Sequence, residues 1–411
     1  MKILYPSYGA LGFALSVVGI PLFMYLPTYY ASDIGVDITT VGIVLFVARA
    51  LDMAIDPLIG HWSDQTKKRK PFIIAGSLLL LIGYYLLIHP LAYPVIWLFI
   101  LSMVVYIAWS LITVPYMALG SEITRDYHEK TTLSSWREVL TLLGMMSALS
   151  LPYVLNISDN YGATLQSLYL LLVISLPIAL AALLWGVNNT FIPIQSIPFI
   201  QGLKTIFKSN GVFLVLAYCI NALANAVPST LFLYYVAHIL HVPQKSGMLL
   251  LLYFTAGIVA LPFWSALSRH IGKKNSWIMS MVLASCAFAF VPFLGNGDLF
   301  WFILIVLVSG FSLGADLVLS SSLQADLAQK FVAKEQPLSG VLFGLWGMGT
   351  KLSLALGVGI AFGILGYFDF NPASPSQQSL TALVYLYGLS PVVLKILSIS
   401  ILVKFKENEL T

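Results

Sequence analysis

The chain has 411 residues, of which 59% are hydrophobic and only 9% charged, where soluble domains carry roughly 25% charged residues. No globular core of this size hides so much apolar side chain, so lipid must solvate much of the surface and a soluble protein is excluded. The net charge of +4 sits in short clusters at the ends of apolar runs, a pattern of membrane orientation that gives no reason to expect a nucleic-acid partner.

A bilayer requires about 20 apolar residues per helical span, and such runs recur along the chain with short polar breaks. Open sheets cannot span lipid because their edge N–H and C=O groups go unpaired, and the runs are too continuous for the alternating strands of a barrel. An all-α integral membrane fold of twelve transmembrane helices follows. The first span is expected at about 6–31; it is long, contains Gly, Pro and Tyr, and lacks the pattern of a secretory signal. The next five fall at about 39–62, 71–90, 93–122, 132–157 and 162–187. A Pro- and Gly-containing break over about 188–210 reads as a linker. Six more spans follow at about 211–239, 245–267, 275–294, 299–327, 335–366 and 375–404. The expected organisation is a six-helix bundle over 1–187, a cytoplasmic linker over 188–210 and a second bundle over 211–411.

Basic residues alternate with the spans. Lys67, Lys68, Arg69 and Lys70 follow the second, Arg125 and Lys130 the fourth, and Lys204 and Lys208 sit in the linker. Arg269, Lys273 and Lys274 follow the eighth span, Lys330 and Lys334 the tenth, and Lys404 and Lys406 the twelfth. The opposite loops carry Asp33, Asp37, Asp159, Asp298 and Asp369, with Lys245 as their single lysine. The positive-inside rule places both termini and the linker in the cytoplasm. The basic runs after the second and eighth spans form a weak internal echo, the mark of two parallel halves with a solute site between them.

Charges within a span cost about 2.5–3.5 kcal/mol each, so they read as functional by default. In the second span Arg49, Asp52 and Asp56 are spaced three and four apart and share one helix face. Two carboxylates beside one arginine leave excess negative charge, which a small cation answers with hard oxygen ligands, or which raises one carboxyl pKa until it carries a proton. Pro57 removes a backbone donor at the same place. Lys351 lies deep in the eleventh span and needs a partner; Asp316 and Asp52 are the candidates. Asp64, Glu122, Arg137, Glu138 and Asp326 fall near the cytoplasmic ends of spans, and interhelix pairs closing a cytoplasmic gate are expected there. Lys395 in the last span is expected to snorkel to the interface. Tyr8, Trp109, Tyr116 and Trp346 are candidates to line a cavity, and the glycines of helices 1, 10 and 11 permit close helix contact. Cys219 and Cys286 lie in apolar runs, which gives no disulfide framework. No catalytic or metal-binding constellation and no Walker-type loop is present, so the chain reads as neither an enzyme nor an ATP-driven pump.

Arg49-x-x-Asp52-x-x-x-Asp56-Pro57 with Gly60, then Ser63-Asp64-x-Thr66 and Arg69-Lys70-Pro71, carry a resemblance. Tyr8-Gly9, Pro115-Tyr116, Glu122-x-Thr124, Arg137, Ala325-Asp326 and Lys351 extend it across the chain. The chain resembles the glycoside–pentoside–hexuronide:cation symporters of the major facilitator superfamily. That resemblance implies Asp52 and Asp56 as cation ligands, a helix 4 hydroxyl, Ser110, joining them, Lys351 coupling ion to solute, and Arg49 setting charge balance. It implies no cofactor beyond the coupling cation, H+ or Na+. Departures from the family occur at Ser16 and Thr113, where its sugar permeases carry acids, and at Met117, where they carry a stacking aromatic; Ser16 and Thr113 still face the expected cavity. Ile55 stands where sodium-using members often have Asn, which removes one oxygen ligand and gives weight to the proton.

The function expected is therefore cation-coupled symport of a small organic solute such as a sugar or glycoside, by alternating access, in a monomer of the bacterial inner membrane. Two alternatives remain at the level of sequence: a cation-coupled carrier of a lipid-like amphiphile, suggested by the loss of sugar-binding groups, and a membrane sensor that does not transport.

Overall fold

A computed structural model describes residues 4–66, 68–91, 93–124, 126–157, 160–187, 198–333, 338–368, 370 and 375–407. Lys67, Arg125, Asp159, Lys334, Asp369 and linker residues 188–197 lie outside the described residues.

Among the described residues all regular structure is helical. The elements are α1 (Leu4–Thr28), which runs into a π-helical turn (Tyr29–Asp33), α2 (Ile38–Thr66), α3 (Lys70–Leu87), α4 (Pro94–Ile123), α5 (Tyr127–Val154), α6 (Tyr161–Gly186) and α7 (Phe199–Lys208). They continue with α8 (Gly211–His238), α9 (Ser246–Ile271), α10 (Lys273–Ala289), α11 (Leu299–Ala333), α12 (Ser339–Tyr367) and α13 (Gln377–Leu402). Among the described residues, nine helices are long and apolar enough to cross a membrane: α3, α4, α6 and α8 to α13. The long helices α2 and α5 carry many of the charged residues: Arg49, Asp52, Asp56 and Asp64 on the first, and Glu129, Lys130, Arg137 and Glu138 on the second.

Three local outcomes differ from the sequence reading. The linker contains α7, a ten-residue helix that buries Gly202 and Ile206 and exposes Lys204 and Lys208; it is too short and too amphipathic for a span-length hydropathy argument to find. α5 starts at Tyr127 rather than near 132, because Asp126 accepts from the backbone N–H groups of His128 and Glu129, both at 2.8 Å, as a helix-start residue does. Lys130 and Lys273, read as solvated loop charges, are buried inside helix starts. Lys130 is there because its ammonium pairs with Asp326 at 2.9 Å.

The backbone groups into two compact units, one of residues 1–202 with 325–347 and one of 203–324 with 348–411. In the first, α1 packs on α5 and α6, and α4 on α2 and α3, around a core that includes Leu11, Val18, Ile73, Leu80, Ile112 and Leu172. In the second, α13 packs on α8 and α10, around Leu231, Val236, Phe302 and Leu383.

The two units repeat specific bonds. Tyr30, at the end of the first helix of its unit, donates to Leu87 O at the end of α3 (2.7 Å). Tyr235, near the end of α8, donates to Val291 O just past α10 (3.0 Å). Lys70 Nζ, at the start of α3, donates to Leu184 O and Val187 O at the end of α6. Lys274 Nζ, at the start of α10, donates to Val403 O and Phe405 O at the end of α13. In each unit a lysine thus satisfies carbonyls left over at a helix C-terminus. Gly35 and His241 both take positive φ, 82° and 56°, directly before Val36 and Val242, whose N–H groups reach back to Tyr30 O and Val236 O. Tyr29-Tyr30 stands at the same distance from Pro57 as Tyr234-Tyr235 from Pro262. That register is a sharper repeat signal in the sequence than the basic loops.

Candidate functional site

The face of α2 that carries the two acids is turned inward. Asp52 and Asp56 are 1% and 2% exposed, although α2 is lined with apolar residues that remain exposed, such as Phe46 and Leu58. Ser110 Oγ of α4 donates to Asp52 Oδ1 at 3.2 Å. Arg49, half-buried, lies with its guanidinium 5.2 Å from the centre of the Tyr106 ring, a cation–π placement that offsets part of its lost hydration. Pro57, immediately after Asp56, sits inside a continuous helix.

The first half of α12 presses on this face through glycines. A Cβ added at Gly347 would stand 2.8 Å from Asp56 Oδ2, and one at Gly344 2.5 Å from Asp56 O and 2.6 Å from Pro57 Cα. At Gly60 and Gly340 the two backbones meet so closely that neither position admits a methyl group. The α12 backbone is therefore in contact with the second carboxylate, an approach open only to residues without side chains.

One turn beyond Gly60 the contact becomes ionic. Asp64 accepts from Gly340 N (2.8 Å) and Val341 N (3.0 Å), the first amides of α12, where the helix dipole favours negative charge. Arg69 Nη2 pairs with Asp64 Oδ1 at 2.5 Å and with Glu122 Oε1 of α4 at 2.8 Å, and Arg69 Nη1 donates to Ser63 Oγ. Burial by itself weakens the hold of Arg69 on its proton, but the charges of Asp64 and then Glu122 more than reverse this, so its pKa stands above the ordinary value. Deeper in the unit, Arg137 and Glu138 pair as neighbours on α5, with the Tyr8 hydroxyl against Arg137.

Two of the aromatic candidates pack on one another. Tyr8 and Tyr116 lie with ring centres 4.5 Å apart, Tyr8 donates to Tyr116 O (3.3 Å) and Tyr116 to Tyr8 O (2.6 Å). That reciprocal pair pins α1 to α4. Ser16 donates to Phe13 O (2.8 Å) and Thr113 to Trp109 O (3.0 Å), each within its own helix. The Trp109 ring lies over Gly19, and Trp346 is buried.

In the second unit, Lys351 is half-buried in a stretch of α12 tied to α8: Thr350 Oγ1 bonds the Tyr218 hydroxyl (2.7 Å) and Ser353 Oγ donates to Cys219 O (2.8 Å). Asp316 accepts from Trp277 Nε1 (2.7 Å), Asn225 Nδ2 (2.9 Å) and Lys395 Nζ (3.4 Å). The expectation that Lys395 snorkels is overturned: its side chain is 2% exposed, and a second bond runs to Asn221 Oδ1 at 2.8 Å. A buried carboxylate holds the ammonium inside the unit more strongly than the interface draws it out. Sequence reasoning missed Asn221, Asn225 and Trp277. The legible signal was a pair of amides four residues apart in one span, which share a helix face.

A bundle of long apolar helices with two buried carboxylates on one helix, and glycine contacts that let a neighbouring helix ride over them, defines a polytopic membrane transport protein. The chain belongs to the MFS/sugar transport protein family, whose model matches residues 7–409, and its fold is that of the major facilitator superfamily. It is 25% identical to the inner membrane symporter YicJ of Escherichia coli (strain K12), over 95% of this chain and 89% of that protein. It is 24% identical to the putative glycoside/cation symporter YagG of the same organism, over 90% of this chain and 85% of that protein. Among solved structures, a bacterial homologue of the iron transporter ferroportin in its outward-facing state superposes with a TM-score of 0.74 at 14% identity, covering 98% of this chain and 99% of that one.

Proposed function

We propose that the protein is a cation-coupled symporter of a small glycoside-like solute, working by alternating access in an inner membrane with both termini in the cytoplasm. The observation that carries this is the burial of Asp52 and Asp56, one turn apart on α2, with Ser110 on the first and the α12 backbone against the second. Burying ionised carboxylates is costly unless charge compensates them, and a compensating charge that comes and goes is a coupling ion. In this reading Asp52, Asp56 and Ser110 bind the cation, and Arg49 sets the local balance. Lys351 links ion occupancy to solute, and Asp316, held by Lys395, balances charge in the same unit. Tyr8, Ser16, Trp109, Thr113, Tyr116 and Trp346 belong to the walls of the solute path.

Asp64, Glu122, Arg137, Glu138 and Asp326 form the gate. The Arg69 and Lys130 pairs and the Asp64 cap on α12 hold α2, α4, α5, α11 and α12 together while the cytoplasmic side is shut, and opening requires exchange of those bonds for water. The six-plus-six organisation, 1–187 and 211–411, supplies the two bodies that rock, and a single copy of the chain suffices. The names of YicJ and YagG, a symporter and a putative glycoside/cation symporter, support the same reading.

The test is uptake of a panel of radiolabelled glycosides and pentosides into proteoliposomes under an imposed sodium or proton gradient. Asp52→Asn and Asp56→Asn are expected to abolish accumulation above equilibrium, a loss of at least about 100-fold in steady-state ratio given the cost of an intramembrane charge without its partner. Undiminished accumulation in either variant removes the cation site from α2.

A further inference from the structure

The cluster around Asp316 brings four helices to one point: Asp316 from α11, Lys395 from α13, Asn221 and Asn225 from α8 and Trp277 from α10. Asn221 is 3% exposed and the Asp316 side chain 9%, so the groups have little water to fall back on. The distances within it are unequal. Lys395 Nζ is 2.8 Å from the Asn221 amide oxygen but 3.4 Å from Asp316 Oδ2. The carboxylate takes its shorter bonds from two neutral donors, Trp277 Nε1 and Asn225 Nδ2. Neutral N–H groups orient a carboxylate and stabilise its charge, but they do not cancel it. The ammonium supplies the cancelling charge while seated between an amide oxygen and a carboxylate oxygen, the ligand types a small monovalent cation takes.

We infer that this is a monovalent-cation pocket filled by the protein's own lysine ammonium. Asp316 and Asn221 supply the oxygen ligands, Trp277 and Asn225 fix the carboxylate, and the Lys395 tail occupies the space through which a free cation would enter. Shortening the lysine leaves a cavity the length of its tail, with an anionic carboxylate and an amide oxygen at the inner end. A small primary ammonium matches that cavity in charge, donors and size. The tether has a consequence for transport, which rests on the symport reading: the second unit holds its carboxylate compensated throughout, so exchange of free cation is left to α2. The pocket itself stands independently of that reading.

The experiment uses the purified full-length protein and its thermal unfolding midpoint. Lys395→Ala is expected to lower the midpoint by ~5–10 °C, the effect of a buried carboxylate deprived of its partner. Ethylammonium in the millimolar range restores part of the loss; tetramethylammonium, which has no N–H to donate, does not. The double variant Lys395→Ala/Asp316→Asn recovers stability without any amine and no longer responds to ethylammonium. The ethylammonium response persists when Asp52→Asn is added to Lys395→Ala, which separates this pocket from the α2 site. If Lys395→Ala yields no folded protein, recovery of folded protein in the double variant supports the pocket, and failure to recover overturns it. Equal responses to the two amines, or a double variant no more stable than the single one, also overturn it.

Discussion

The two units share a frame and differ in where they keep charge. Both tie the end of their first helix to the end of their third through a buried tyrosine, Tyr30 or Tyr235. Both close the last helix with a lysine from the start of the third, Lys70 or Lys274. The residue before the shared helix proline, however, is Asp56 in α2 and Leu261 in α9, and five residues before that proline stand Asp52 and Gly257. Where the first unit sets Arg69 between Asp64 and Glu122, the second uses Glu407 to accept from the N–H groups of Lys273 (2.9 Å) and Lys274 (3.2 Å) at the start of α10. The scaffold bonds are the part both units need, because any span must satisfy its helix ends and fix its neighbours. The acids of α2 have no such general use, and a bundle folds with glycine and leucine in their place. The chemistry on α2 is thus an addition to a frame that works without it.

That contrast can be broken most severely at the two helix-start clusters. Arg69→Gln leaves Asp64 and Glu122 buried without their cation and is expected to cost about 3–5 kcal/mol. Glu407→Gln keeps a hydrogen-bond acceptor at the start of α10 and gives up its charge at the helix N-terminus, a helix-dipole contribution of about 0.3–1 kcal/mol. Unfolding midpoints of the two variants measured side by side check this, and equal losses would show that the clusters do the same job.

A smaller effect is expected at the glycines of α12. Gly344→Ala places a methyl 2.5 Å from Asp56 O, so α2 and α12 must part, at about 1–3 kcal/mol for an overpacked contact. In the same helix, Gly363→Ala meets nothing within 4 Å and is expected to be neutral or to stabilise by up to about 1 kcal/mol through helix propensity. Cation-dependent uptake separates them further: Gly344→Ala shifts its dependence on ion concentration and Gly363→Ala does not.

The smallest effect tests the shared frame. Tyr30→Phe and Tyr235→Phe each remove one buried hydroxyl bond, for about 1 kcal/mol each; Val291 O keeps the bond from Leu294 N. Matched losses in hydrogen exchange at the ends of α3 and α10 are expected if the repeat is energetic as well as geometric, and a loss confined to one unit would end the comparison there.

Much of this was legible in the chain itself. Run length against bilayer thickness gives the long helices, and Arg49, Asp52 and Asp56 at three- and four-residue spacing give the loaded face of α2. What escaped depended on partners distant in sequence. Lys395 near the end of a span looks free to reach the interface until Asp316 and Asn221 are found beside it. Lys130 counts as a loop charge until Asp126 starts α5 early and Asp326 receives the ammonium. A basic residue follows the loop rule only where no buried acid competes for it. α7 escaped for another reason: ten residues with an apolar stripe carry no span-length signal.

The meeting of Gly60 with Gly340 has a consequence for how such chains diverge. The two positions are far apart in sequence, yet they share one volume too small for a carbon atom more. A heavier residue on either side is accommodated only by displacing a whole helix, and the opposite position cannot shrink to make room. Drift should therefore freeze both sites together, and a relative that has lost one glycine should also carry altered packing along the length of α12.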